Sequence, residues 1–249
     1  MSRLRIPALI VVCCLLMASG AARALTQDEV MDGAGKLYRT RIVALERAGM
    51  LDRDAAFLAR VKRIAQHLIA QAVRDDPTVA AWPWEFHVSD ASDDNASCMA
   101  GGRILLSQPY VEQLALTDAQ LAMVLSHEMQ HALLRHNLKE YELALRLDPA
   151  WVARPFSALE DAVDNDASLM ARLAPLNMEQ EIEADRAGMA MAWRAGWPAQ
   201  ELAGYFRKLD DASDVGNRGS ATHPAPRQRW RAARRLAGEL DSDTAAARQ

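Results

Sequence analysis

Apolar side chains recur along this chain with two different periods, and the change of period divides it. Thr26-Gln27-Asp28-Glu29 has the form of a capping box and predicts a helix running to about Ala48. Phe57, Val61, Ile64 and Leu68 keep the 3.6-residue period of a second amphipathic helix, which ends near Asp76-Pro77. From Trp82 the texture changes. Trp84 to Val88 reads as a strand, Asn95 to Met99 as another and Arg103 to Ser107 as a third, with Gly101-Gly102 turning the chain between the last two. Thr117-Asp118-Ala119-Gln120 is a second capping box. It opens a helix from Leu121 to at least His136 whose surface is apolar almost all round, the mark of a buried helix. Residues 137–177 resist assignment and hold helical fragments broken at Pro149, Pro155 and Pro175. Asn177 is then expected to cap a helix that stops at Gly196 and Pro198, followed by a shorter one over Ala199 to Leu209. Asp211 to Ser220 reads as a loop, and a last helix runs from about Pro224 to Asp241. The pattern predicts an α+β, predominantly helical fold with one small sheet.

The first 24 residues form a separate object. Arg3 and Arg5 precede an apolar stretch from Ile6 to Met17, and Ala22-Arg23-Ala24 has the small-x-small form that a signal peptidase cuts after. The expected mature chain is a single domain over residues 25–249, exported to the periplasm with no transmembrane anchor. The alternative is an uncleaved anchor, for which the apolar stretch is short. Cys13 and Cys14 lie inside the apolar run, and neither follows the small residue a lipoprotein signal needs. Cleavage would leave 26 basic against 33 acidic residues and Cys98 as the one cysteine. An acidic chain without a basic block argues against a nucleic-acid partner. One cysteine excludes an internal disulfide, so stability must come from the core, a metal, or both.

The chemistry concentrates on the apolar helix. His127-Glu128-Met129-Gln130-His131 is an H-E-x-x-H motif. One helical turn apart, the two histidines share a face and can meet one Zn²⁺. Glu128, about 100° around from His127, stands beside that point, where a general base acting on water belongs. Two imidazoles and a carboxylate buried without partners would cost several kcal/mol, a cost that a metal and a polar cleft remove. The third ligand is expected from Glu181-Ile182-Glu183-Ala184-Asp185. Glu181 and Asp185 share a face as like charges at i,i+4, unfavourable in isolation and useful opposite a metal and its histidines. In this reading Glu181 ligates zinc, Asp185 fixes the tautomer of His127 through its outer N–H, and Gly188 lets the two helices approach closely. Glu183 points about 200° away and is expected in solvent. His136 points away from the motif's face and is expected to interact only with the helix C-terminus. His223, after the glycine-bearing loop, is either a transition-state donor, a fourth zinc ligand or an ordinary turn histidine. His67 and His87 read as ordinary, and Cys98 as a small buried apolar residue.

Together, His127-Glu128-x-x-His131-x-x-x-Arg135-His136, Glu181-x-Glu183-Ala184-Asp185, His223-Pro224 and Arg229 resemble the M48 family of zinc metallopeptidases, which includes CAAX prenyl proteases, HtpX-type membrane proteases and BepA-like periplasmic proteases. Asn95-Ala96 followed by Gly101-Gly102 is similar to that family's edge-strand segment, with Ala100 where a proline is usual. The resemblance runs from about Trp84 to Arg234. It implies a zincin-like (gluzincin) fold whose edge strand lines the cleft, one zinc per chain on His127, His131 and Glu181, Glu128 as catalytic base, and His223 at the site. It also implies polypeptide substrates, unfolded or misassembled envelope and outer-membrane proteins, added as a strand beside Asn95 and Ala96. A chaperone-like binding module, or a protease kept latent by His223 or by a lid from residues 137–177, is the rival reading.

Overall fold

The computed structural model describes residues 25–92, 95–213 and 223–246. The expected signal peptide, the tip of the 211–220 loop and Thr222 lie outside the described residues. Among the described residues, nine α-helices and three strands follow in the order α1 (Gln27–Arg47), α2 (Ala55–Asp75), β1 (Glu85–Ser89), β2 (Ala96–Met99), β3 (Arg103–Ser107), α3 (Gln108–Gln113), α4 (Asp118–Leu133), α5 (His136–Leu147), α6 (Phe156–Asn165), α7 (Ala167–Arg194), α8 (Ala199–Ala212) and α9 (Pro226–Ala246). Short 3-10 turns lie at Pro77–Ala81 and Pro149–Ala153. Both capping boxes form, Thr26 with Glu29 and Thr117 with Gln120.

The sheet has the order β1-β3-β2. β1 runs parallel to β3, with Phe86 opposite Ile104, and β2 runs antiparallel to it, with Cys98 opposite Ile104. β2 is therefore an edge strand, and it lies against α4. The two-glycine turn that reverses the chain into β3 requires positive φ at both residues, +89° at Gly101 and +83° at Gly102. Gly102 also has no room for a side chain, since a Cβ there would lie 2.4 Å from the Trp84 ring.

α4 is the hub, packed against α2, α7, α8 and β2. Leu121, Met123, Leu125 and Met129 are fully buried in the larger core cluster, each contributing about 1.5–3 kcal/mol by removing its side chain from water. A second apolar cluster, built on Tyr141, Leu159, Val163, Leu169 and Leu173, joins α1, α5, α6 and the first half of α7.

Two expected boundaries are corrected. The helix carrying the H-E-x-x-H motif does not run on through His136. It ends at Leu133, Arg135 takes the left-handed conformation (φ 57°, ψ 41°), and a new helix starts at His136. Nor does Asn177 cap a helix: α7 begins eleven residues earlier, where Asp166 Oδ1 accepts from the backbone N–H groups of Ser168 and Leu169. Pro175 sits inside α7. It removes a backbone donor at a cost of about 3 kcal/mol. Burial of Leu169 and Leu173 on the turns before it offsets a loss of that size.

Candidate metal centre

Three side chains from two helices converge. His127 Nε2 and His131 Nε2, on successive turns of α4, stand 3.3 Å apart. From α7, Glu181 places Oε2 3.5 Å from His127 Nε2 and Oε1 3.3 Å from His131 Nε2. Donors on a tetrahedral metal with bonds of about 2.0–2.1 Å would stand roughly 3.3 Å from one another, so these spacings fit such an ion. All three donors lie within 4.8 Å of one another, the one such cluster of three His, Cys, Asp or Glu among the described residues. Glu181 Oε2 is buried without a hydrogen-bond partner, an arrangement that costs about 1–3 kcal/mol unless a cation or proton takes it up.

Helix packing makes the convergence possible. Gly188 lies one turn beyond Asp185 and two turns beyond Glu181, and a Cβ there would fall 2.9 Å from both Cα and N of His127. α7 therefore meets α4 backbone to backbone close to where the three side chains converge.

Asp185 lies behind His127, its Oδ1 2.9 Å from Nδ1 though off the ideal hydrogen-bond direction. Arg229 of α9 holds the same carboxylate with two charge-assisted hydrogen bonds, Nε to Oδ2 at 2.8 Å and an Nη to Oδ1 at 2.6 Å. Its guanidinium lies 5.3 Å from the centre of the Phe206 ring. Only the family resemblance had drawn attention to Arg229; nothing in the spacing of 44 residues relates it to Asp185.

Burial alone would pull the His127 imidazole down in pKa, but Asp185 and Glu128 outweigh it and leave it raised. Burial raises the Glu181 and Asp185 carboxyls too. His131, His127 and His223 override it at Glu181, and His127 with Arg229 at Asp185, so both end lowered. The same carboxylates that favour a proton on the His127 imidazole favour any cation beside it.

Glu128 extends beside this cluster, 3.9 Å from His127 Nε2. Burial raises its pKa, against the histidines, which lower it. Its charge also helps to raise Cys98 on the edge strand β2, after burial itself, and acts on Tyr110 and Tyr205, whose hydroxyls meet at 2.7 Å. β2 packs against α4, the helix that carries Glu128. Asn95 is exposed just before β2, its carbonyl accepting from Ser107 N–H at 2.7 Å, and Ala96 pairs with Leu106.

His223 approaches from the Glu181 side, Nε2 3.5 Å from Oε2, with its side chain 54% exposed. It stands outside the three-donor cluster. Burial lowers its pKa.

One expectation fails on the far side of His131. His136 does not point away: it is 2% exposed, its Nδ1 lies 3.0 Å from His131 Nδ1, and its Nε2 lies 3.2 Å from Glu183 Oε2. Burial and the neighbouring His131 push its pKa down to about 4. Glu183 is half-exposed yet engaged with His136 and, at 3.7 Å, with Lys139. The left-handed Arg135 re-aims the residue that follows it, whereas Glu183 keeps the exposed position expected of it on the unbroken α7. His87, expected to be ordinary, pairs with Asp52 at 2.6 Å and Glu85 at 3.2 Å, tying β1 to the α1–α2 connection.

Comparison with known proteins agrees with this architecture. The model of peptidase family M48 matches residues 57–237. The beta-barrel assembly-enhancing protease of Yersinia pestis is 24% identical over 246 residues, covering 93% of this chain and 48% of the relative. Its Escherichia coli counterpart is 27% identical over 172 residues, 64% of this chain and 35% of the relative. The mitochondrial metalloendopeptidase OMA1 of Bos taurus is 25% identical over 178 residues, 67% of this chain and 33% of the relative. The chain thus spans between a third and a half of the length of these relatives.

Proposed function

Since the chain belongs to peptidase family M48, we propose that it is a zinc-dependent endopeptidase acting on unfolded or misassembled envelope proteins in the periplasm. The observation that carries the reading is the meeting of His127, His131 and Glu181 with Glu128 beside them. Zinc held by those three residues would supply a Lewis acid that brings the ionisation of water toward neutral pH.

The remaining work falls to the chain itself. Glu128 is placed to accept a proton from the attacking water and to return it to the leaving amine, and burial raises its proton affinity. Asp185, held by Arg229, keeps the His127 ring in one orientation. The β2 edge offers unpaired backbone groups to an extended polypeptide next to Glu128, which favours unfolded over folded substrates. Among the described residues no helix is long and apolar enough to cross a membrane. The names of the bacterial relatives support an envelope substrate, and export by cleavage after Ala24 would leave Leu25 as the mature N-terminus.

Metal analysis with a digestion of casein or an unfolded outer-membrane protein tests the reading. The wild type should carry one zinc per chain and lose activity to a chelator. Glu128→Gln should keep the zinc and lose nearly all turnover. Comparable turnover by that variant would remove the mechanism. A second reading, a latent protease that mainly binds clients, draws on the nearness of His223 to Glu181. Client binding without hydrolysis in the wild type would favour it.

A further inference from the structure

The contacts of His136 carry more than a packing role. Glu183 Oε2, which as a carboxylate oxygen can accept but not donate, faces His136 Nε2 at 3.2 Å, so that nitrogen carries the ring's proton. In a neutral ring Nδ1 is then a bare lone pair. It faces His131 Nδ1 at 3.0 Å, so the hydrogen between the two rings belongs to His131 Nδ1. His131 Nε2 is left as a lone pair, and it is this atom that faces His127 Nε2 and Glu181.

We propose that His136, oriented by Glu183, is a positioning residue that fixes the tautomer of His131 so that Nε2 is the ligand atom. The inference rests on His131 being a metal ligand. His127 and His131 would then be set by different means from one helix. Asp185 reaches His127 directly. Glu183 lies two residues earlier on α7, and the His136 imidazole bridges its carboxylate to His131. The edge-on packing of His131 against His136, 81° between ring planes, allows this nitrogen-to-nitrogen approach where a stacked pair would not. Gln180 Nε2 donates to the His136 carbonyl at 3.1 Å, pinning the backbone that aims the ring. The left-handed Arg135 has a consequence here: it swings residue 136 back toward His131, where a continued helix would carry it about 140° away.

Two measurements test it. The first is zinc affinity of the folded protein by chelator competition. His136→Phe keeps the ring but offers no acceptor, and should weaken zinc binding about 10–100-fold. His136→Gln restores an acceptor oxygen and should recover most of that loss. A merely structural role would lower the melting temperature of the metal-free variants and leave the affinities of wild type, Phe and Gln variants alike, which would overturn the proposal. The second is ¹⁵N NMR of histidine-labelled, metal-free protein. His131 should show a protonated Nδ1 and a bare Nε2 in the wild type, and lose that preference in His136→Phe. The opposite tautomer in the wild type would refute the relay. Failure of the wild type to bind zinc would remove the metal reading instead, and the His131 signals would still decide the relay.

Discussion

Gly188 of α7 stands against the backbone of His127: a methyl group at position 188 would lie 2.9 Å from both Cα and N of the histidine. The contact is with main-chain atoms, so no side chain can rotate out of the way. Gly188→Ala must separate α4 from α7 at the level of the three converging donors. We expect a destabilisation of about 1–3 kcal/mol, the usual cost of overpacking, together with a zinc affinity reduced by more than the stability loss explains. Thermal melts with and without zinc measure the two effects separately. Unchanged zinc binding in Gly188→Ala would mean that the helices can part without moving the ligands.

Arg135 joins α4, the helix of His127 and His131, to the next one in a conformation that L-residues avoid, at about 1–2 kcal/mol. Glycine accepts it freely but adds entropy to the unfolded chain. Arg135→Gly should therefore be neutral or stabilising by up to about 1 kcal/mol, with zinc affinity retained. Arg135→Val, β-branched and ill suited to positive φ, should lower the melting temperature and disturb His136 with it. Denaturant titrations of both variants check the order; a valine variant more stable than the glycine one would contradict the argument.

The two left-handed or proline-bearing positions also mark the limits of reading this fold from its sequence. Both capping boxes, all three strands, the H-E-x-x-H face and the Glu181–Asp185 pair on one helix face were legible, because each announces itself by local spacing. The break at Arg135 was not, since no glycine or proline signals it, and with it His136 was misdirected and its pairing with Glu183 missed. The start of α7 was misplaced for the converse reason. Pro175 is a strong local stop, but the buried face of Leu169 and Leu173 carries the helix through it. The partnership of Arg229 with Asp185 depends on how α9 packs on α7, and one sequence holds no trace of that beyond the family resemblance.

Glu160 supplies a prediction remote from the metal centre. It is 4% exposed, and its Oε1, which faces the space beside Gly33, has no hydrogen-bond partner. Burial, followed by the charge of Asp164, raises its pKa from 4.5 to about 7, with Lys36 acting weakly the other way. A carboxyl raised in the folded state binds its proton more tightly when folded. Its cost to stability is therefore absent below about pH 4.5 and grows as pH rises toward 7. Glu160→Gln, which cannot ionise, should gain on the wild type by on the order of 1–3 kcal/mol at pH 8, and the gain should vanish near pH 4. Paired melting curves across that range provide the measurement. A gain that grows toward acid pH would reverse the sign and refute the assignment.

His223 decides between two opposite effects of one substitution. Its Nε2 lies 3.5 Å from Glu181 Oε2, the same distance at which His127 Nε2 stands, yet it remains outside the three-donor cluster. Burial lowers its pKa, so the ring is neutral near pH 7 and offers a lone pair. A neutral ring approaching the ligand carboxylate from the open side is placed to close the site as a fourth ligand and so to exclude the water that Glu128 needs. His223→Ala should then raise hydrolysis of an unfolded substrate, and His223→Cys, which keeps a ligand atom, should not. If His223 instead donates to the oxyanion, the alanine variant should lose activity on the order of a hundredfold. A structure determined with zinc and no substrate separates the cases independently of turnover. His223 within about 2.0–2.1 Å of the ion supports closure, whereas a ring held away from it, together with a slower alanine variant, assigns the residue to the transition state. An alanine variant indistinguishable from wild type in rate and zinc affinity leaves His223 an ordinary turn histidine.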